Sequence, residues 1–249
     1  MQPSAIHHAV LVHGAGGGGW EWAIWRGVMD AHGIDCVCID LAPLPAGLAT
    51  TGFDDYRDQV MAAVDALPRP RALIGASLGG LLAAACSGSA DALVLVNPLP
   101  PAPWSALIAP RQWPEVVPWR RDARLSSTRR SLADADDATA LFAVRRWRDE
   151  SGAVLNQARS GVGIATPDCP VLCIASERDE DVPATVTAQL AGAWNTSLLH
   201  LLGASHVGPL LGRHAVDVAG QVVAWLASSP GPDSGPVDRA PHDVADLAT

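Results

Sequence analysis

Short, almost continuously apolar runs recur along the chain, each followed by a longer stretch in which apolar positions return every three or four residues. The runs fall at residues 8–12, 34–39, 71–74, 92–96, 171–175 and 197–201. Unbroken hydrophobicity, rather than alternation, is the mark of parallel strands buried on both faces. Residues 20–31, 54–67, 78–87, 183–193 and 213–227 carry helical spacing. Pro183 is placed to open its helix, because a first-turn proline loses no helical hydrogen bond. Strand and helix alternating in this way predict a doubly wound parallel sheet, an α/β fold.

One segment breaks the rhythm. Residues 99–165 separate the fourth and fifth strands by far more than a crossover needs, with helical patterns around 131–148 and 150–160. Ten of the 17 basic residues lie between Arg111 and Arg159, against seven acids, so this segment is slightly basic while the rest is strongly acidic. It also holds Trp104, Trp113, Trp119 and Trp147. A helical lid inserted over the C-terminal edge of the sheet explains both length and aromatic content. The alternative is an outer subdomain whose tryptophans fill its own small core. Residues 1–98 and 166–228 then form the core domain, and the Pro/Gly-rich stretch 229–249 is expected to be a flexible tail.

Composition narrows the class. The 249 residues are 49% hydrophobic and 17% charged, with a formal charge of -9, which excludes a wholly disordered chain. No apolar run approaches the roughly 20 residues that span a bilayer, and residues 1–5 carry no basic n-region of a secretory signal. The acidic balance argues against nucleic acid as a partner, since phosphate binding needs clustered positive charge. A soluble cytoplasmic protein is the expectation. The five cysteines, Cys36, Cys38, Cys86, Cys169 and Cys173, cannot all pair within one chain and lack the spacing of a zinc site, so they read as reduced, small core residues. All basic side chains are arginine, a bias of the kind GC-rich bacterial genomes produce, and any mechanism that needs a lysine is excluded.

Two glycine-rich turns carry the candidate chemistry. Gly75-Ala76-Ser77-Leu78-Gly79 follows a strand and opens a small-residue helix, the strand–turn–helix context of a G-x-S-x-G nucleophile elbow. Ser77 must take a strained backbone conformation to lift its hydroxyl above the sheet, and the flanking glycines let backbone pass close by. His13-Gly14-Ala15-Gly16-Gly17-Gly18-Gly19-Trp20 also follows a strand, but it lacks the G-K-[ST] ending of a phosphate loop. An oxyanion loop fits it better, with the N–H groups of Ala15 and Leu78 as the donors. Gly14, Gly16 and Trp20 are expected on the substrate side of that loop. His13 is assigned to orienting it.

With these motifs the chain resembles the α/β-hydrolase-fold superfamily over roughly residues 5–227, and the opening VHGAGGGGWEW followed by IDLAP resembles its compact branch of esterases, methylesterases and hydroxynitrile lyases. The resemblance implies a mostly parallel sheet with helices on both faces and an inserted helical lid; in one departure from the family pattern the two antiparallel strands that usually come first are missing, which leaves a minimal sheet of six strands. It also implies the order nucleophile, acid, histidine. The acid is expected after the fifth strand, where an aspartate four residues before the proline of a Val-Pro pair selects Asp179, with Asp181 as the alternative. His206, on the loop after the last strand, is the implied base; His200 and His214 fall inside a strand and a helix.

The reading is therefore a serine hydrolase acting on a small-molecule ester, thioester or lactone, with Ser77 as nucleophile, His206 as base and Asp179 fixing its tautomer. Neither a metal nor an organic cofactor is implied. Relatives that attack with aspartate are excluded by Ser77, and lysine-dependent hydroxynitrile lyases by the missing lysine. A competing reading from another class is a hydrolase-fold protein that binds a small molecule, or shapes a biosynthetic intermediate, with little net hydrolysis. Turnover discriminates between the two.

Overall fold

The computed structural model describes residues 6–228, so the expected tail at 229–249 lies outside the described residues. The elements alternate as the pattern predicts: β1 (His8–Val12), α1 (Ala23–Ala31), β2 (Asp35–Ile39), α2 (Phe53–Asp65), β3 (Arg71–Ala76), α3 (Leu78–Ala85) and β4 (Ala92–Val96). The long segment then contributes β5 (Val116–Val117), α4 (Trp119–Asp122), α5 (Leu125–Ser131), α6 (Asp137–Val144), β6 (Glu150–Ser151) and α7 (Gly152–Ser160). The chain returns to the sheet with β7 (Val171–Arg178), α8 (Ala184–Ala193), β8 (Ser197–Ser205), α9 (Gly208–Leu211) and α10 (Ala215–Ser228).

Six strands form one sheet in the order β2-β1-β3-β4-β7-β8, and every pair in it is parallel. The strands are buried on both sides because each feeds two cores. Val10, Val12, Leu73, Leu93 and Leu95 pack toward α2, α3 and α8. Their neighbours Ala9, Leu11, Ile74, Val94 and Val96 point the other way, toward α1 and α10. The chain winds outward in one direction from β1 to β2 and in the other from β3 to β8. The crevice where a doubly wound sheet takes its ligands therefore lies between the C-terminal ends of β1 and β3.

The structure corrects three local expectations. The helical pattern at 131–148 is broken, because Asp136 caps a new helix by accepting from the Thr139 N–H at 2.8 Å. The pattern at 150–160 begins as strand β6, antiparallel to β5, before Ser151 caps α7. Pro183 precedes α8 as its N-cap with extended ψ 133°, so the helix opens one residue later than expected. Strands β7 and β8 also run past their apolar stretches, to Arg178 and Ser205, carrying polar residues to the rim of the sheet. Among the described residues no helix is long and apolar enough to cross a membrane.

Candidate active site

The β3–α3 turn holds Ser77 at φ 53°, a left-handed conformation that costs a residue with a side chain of order 1–3 kcal/mol. The turn is locked rather than loose. The Ser77 N–H donates to the Val96 carbonyl at 3.0 Å, and the Ser77 carbonyl accepts from Leu99 at 2.9 Å. A Cβ on Gly75 would strike the Gly79 carbonyl, and one on Gly79 would strike the carbonyls of Val12 and His13. Only glycine lets β1 and α3 approach this closely. Leu78 starts α3, so its N–H has no helical acceptor and lies at the positive end of the helix.

The loop after β1 is held from inside and from the inserted segment. His13 donates from Nδ1 to the Gly14 carbonyl at 2.7 Å and accepts at Nε2 from the Leu41 N–H at 3.0 Å and from Arg148 at 2.9 Å. Burial pushes its pKa down to about 4, and Arg148 adds to the fall, so the ring is neutral and structural. The Gly16 N–H donates to Glu150 at 2.9 Å, and the Arg148 N–H returns a bond to the Gly16 carbonyl at 2.7 Å. Arg148 Nε also donates to the Gly17 carbonyl at 2.5 Å. The Ala15 N–H is left without an acceptor among the described residues.

At the rim of β7 and β8 stand Asp179 and His206, the expected acid and histidine. His206 Nδ1 donates to Asp179 Oδ2 at 2.7 Å, which leaves Nε2 as the free ring nitrogen. Asp179 Oδ1 accepts from the N–H groups of Asp181 at 2.9 Å and Val182 at 2.8 Å. Burial alone would lower the imidazole pKa, but the Asp179 carboxylate outweighs it and raises the value to about 9. Asp181 is exposed and makes no hydrogen bond to the ring. Asn97, at φ 43° just past β4, braces the histidine loop from below: its amide donates to Ser176 Oγ at 2.9 Å and to the His206 carbonyl at 2.8 Å.

Ser77 and His206 open on one cavity of about 420 Å³, together with Gly14, Ala15 and Glu21. The inserted segment supplies its outer wall, including Trp113, Trp119 and Trp147. Gly16 and Trp20, expected on the substrate side, do not line it. Trp20 packs edge-on against Trp147 and Phe142 instead, and the next residue, Glu21, turns inward. Asp179, Asp181 and His206 are the one cluster among the described residues whose ligand-type atoms converge within 4.8 Å. The hydrogen bonds just described already engage both Asp179 oxygens and His206 Nδ1.

Sequence reasoning missed Asn97, Arg148, Glu150 and Glu21. The first three act through contacts with residues 79 to 135 positions away, which no local pattern records. Glu21 does leave a trace, as a lone acid between two tryptophans directly after the glycine loop.

Residues 9–222 match the Alpha/beta hydrolase family. A 90-residue stretch is 37% identical to methylesterase 18 of Arabidopsis thaliana, covering 32% of this chain and only about a third, 34%, of that protein. In three dimensions the chain superposes on a pyrethroid hydrolase from Sphingobium faniae with a TM-score of 0.70 at 18% identity, covering 90% of this chain and 98% of that one. It superposes on a methylesterase from Arabidopsis with a TM-score of 0.66 at 16% identity, covering 88% and 99%.

Proposed function

The chain belongs to the alpha/beta hydrolase family and has its fold, and from that premise we propose that it hydrolyses a carboxylic ester, thioester or lactone through an acyl-Ser77 intermediate. The observation that carries the reading is the convergence on one cavity of Ser77, on its left-handed turn, and His206, bonded to Asp179. Among the substrate classes, carboxylic esters are favoured by the relatives named methylesterases.

In this mechanism Ser77 Oγ attacks the substrate carbonyl carbon while its proton passes to Nε2 of the neutral form of His206, whose share grows as pH rises toward about 9. The N–H groups of Ala15 and Leu78 take the developing oxyanion. Collapse expels the alcohol, thiol or ring oxygen, which receives the proton from His206. Water, deprotonated by the same nitrogen, then releases the acid and restores Ser77. Asp179 holds the Nδ1–H tautomer throughout and stabilises the imidazolium. Residues 99–165 serve as the lid over core residues 1–98 and 166–228, and the tryptophans they bring to the cavity suit an apolar or aromatic acyl group.

The test is intact mass after exposure to a fluorophosphonate, with Ser77→Ala and His206→Ala beside the wild type. One adduct per wild-type chain is expected, absent from Ser77→Ala and formed at least about 100-fold more slowly in His206→Ala. A folded wild type that takes no adduct would overturn the reading in favour of a small-molecule binding protein.

A further inference from the structure

Glu21 and Glu150 are both 3% exposed, yet the structure treats them differently. Glu150 accepts from the Gly16 N–H, the Tyr56 hydroxyl and the Ser151 N–H, so both oxygens are engaged. Glu21 accepts one long bond, from the Gly14 N–H to Oε2 at 3.3 Å. Its Oε1 has no partner among the described residues, and the side chain lines the same cavity as Ser77 and His206. Gly14 is the spacer between them: a Cβ there would sit 3.2 Å from the Ser77 Cβ. A buried carboxyl with one oxygen unengaged, one residue's width from the serine, is placed to meet whatever the serine meets.

Its protonation state follows from what surrounds it. The charged groups that face it are His206, from the loop after β8, and Arg148, from the inserted segment. Arg148 directs its guanidinium to His13, the Gly17 carbonyl and Asp40, not to Glu21. Burial dominates and pushes the carboxyl up to about 8, against the weaker pull of the Gly14 N–H. At neutral pH the group is an acid with a proton to donate.

We propose that Glu21 is a further specificity-determining residue: a neutral carboxylic acid that donates a hydrogen bond to an uncharged oxygen on the carbon beside the substrate's reacting carbonyl. Esters with a 2-alkoxy or 2-oxo group are the class this fits. The proposal rests on Ser77 as nucleophile.

Three acyl groups of one shape test it, presented as esters of one alcohol: butanoyl, methoxyacetyl and N-methylglycyl, which place CH2, O and NH2+ at the same point. Intrinsic reactivity cancels, because variants are compared on the same set. The ratio of kcat/KM for methoxyacetyl over butanoyl is expected to fall about 10-fold or more in Glu21→Leu at pH 6.5. Glu21→Gln should keep the ratio, its carbonyl accepting from Gly14 and its NH2 facing the cavity. In the wild type the ratio should decline as pH rises through 8, whereas in Glu21→Gln it should stay level, a comparison that stands even where Glu21→Leu fails to fold. A wild-type ratio unchanged in Glu21→Leu, or level through pH 8, would overturn the proposal. So would a preference for N-methylglycyl lost in Glu21→Gln, since that marks an ionised carboxylate. Should no ester turn over and Ser77 resist the fluorophosphonate, the hydrolase reading fails. The Glu21 proposal is then decided by binding of methoxyacetone against 2-pentanone, followed by tryptophan fluorescence, with the same ratios expected.

Discussion

Arg148 donates to Nε2 of His13 across a sequence separation of 135 residues, 2.9 Å between the atoms. The contact ties the inserted segment to the loop that presents the Ala15 N–H, and two more bonds from the same residue, to the Gly16 and Gly17 carbonyls, complete the clamp. The segment also holds the histidine side: the Ser131 carbonyl accepts from the Val207 N–H, and Asp134 accepts from the backbone and hydroxyl of Ser205. It therefore fixes both rims of the cavity that it helps to line.

Replacing Arg148 with methionine keeps the apolar stem and removes the guanidinium donors. One or two lost bonds to buried acceptors cost about 1–3 kcal/mol. Because the loss falls on the loop proposed to hold the oxyanion, kcat is expected to drop about 10-fold or more while KM changes less. Steady-state kinetics on any ester that turns over would show it. An unchanged kcat in a folded Arg148→Met protein would mean that the loop holds its shape unaided.

The two candidate acids separate cleanly. Asp179 is fully buried at its side chain and bonded to His206, whereas Asp181 is exposed and offers Asp179 only its backbone N–H. Asp179→Asn would favour the wrong tautomer and is expected to lower kcat by about 10⁴-fold. Asp181→Asn removes an exposed, solvent-screened charge within 4.8 Å of the Asp179–His206 pair that makes no hydrogen bond to the ring, and a change of no more than about threefold is expected. Comparable losses in the two variants would dissolve the distinction.

Much of the fold was legible because it is written in local patterns. Six apolar runs gave six strands, since burial on both faces leaves no room for polar alternation. The elbow was legible because Gly75, Ser77 and Gly79 are close in sequence as well as in space. The inserted segment resisted: its residues pair with partners far along the chain, and Asp136 and Ser151 interrupt patterns that otherwise read as single helices. Trp20 and Glu21 show a finer limit. The glycine-rich loop motif placed a residue of that stretch at the cavity, but the short 3-10 helix Gly19–Trp22 decides which one, and it turns the acid inward.

Two glycines offer opposite outcomes from the same substitution. A Cβ on Gly75 meets backbone atoms of Gly79 and Gly80, which cannot yield without opening the elbow. Gly75→Ala is expected to cost about 2–4 kcal/mol, lowering Tm by roughly 5–15 °C. Gly27, inside α1, has nothing within 4 Å of its added Cβ. There alanine restores helix propensity and should add about 0.5–1 kcal/mol, raising Tm by roughly 1–4 °C. Thermal unfolding of both variants checks the pair, and a Gly75→Ala protein as stable as the wild type would contradict the packing described.

Burial of Glu21 also predicts how stability depends on pH. The folded protein holds the proton up to about 8, while the unfolded chain releases it near the ordinary 4.5 of a glutamate. Between those values the folded state binds more protons than the unfolded one, so stability falls as pH rises through that window and levels off above it. His206 adds to the fall on the alkaline side, its stabilising contribution being present below the usual 6.5 and lost as pH climbs through about 9. Glutamine at position 21 does not titrate, so Glu21→Gln isolates the first contribution. The variant's advantage over the wild type should be smallest near pH 4.5, grow to a few kcal/mol by pH 8 and stay constant beyond. Urea midpoints at pH 4.5, 6.5 and 9 would measure it. An advantage that does not change with pH would mean that Glu21 is ionised in the folded protein, and the donor role assigned to it would fall with that result.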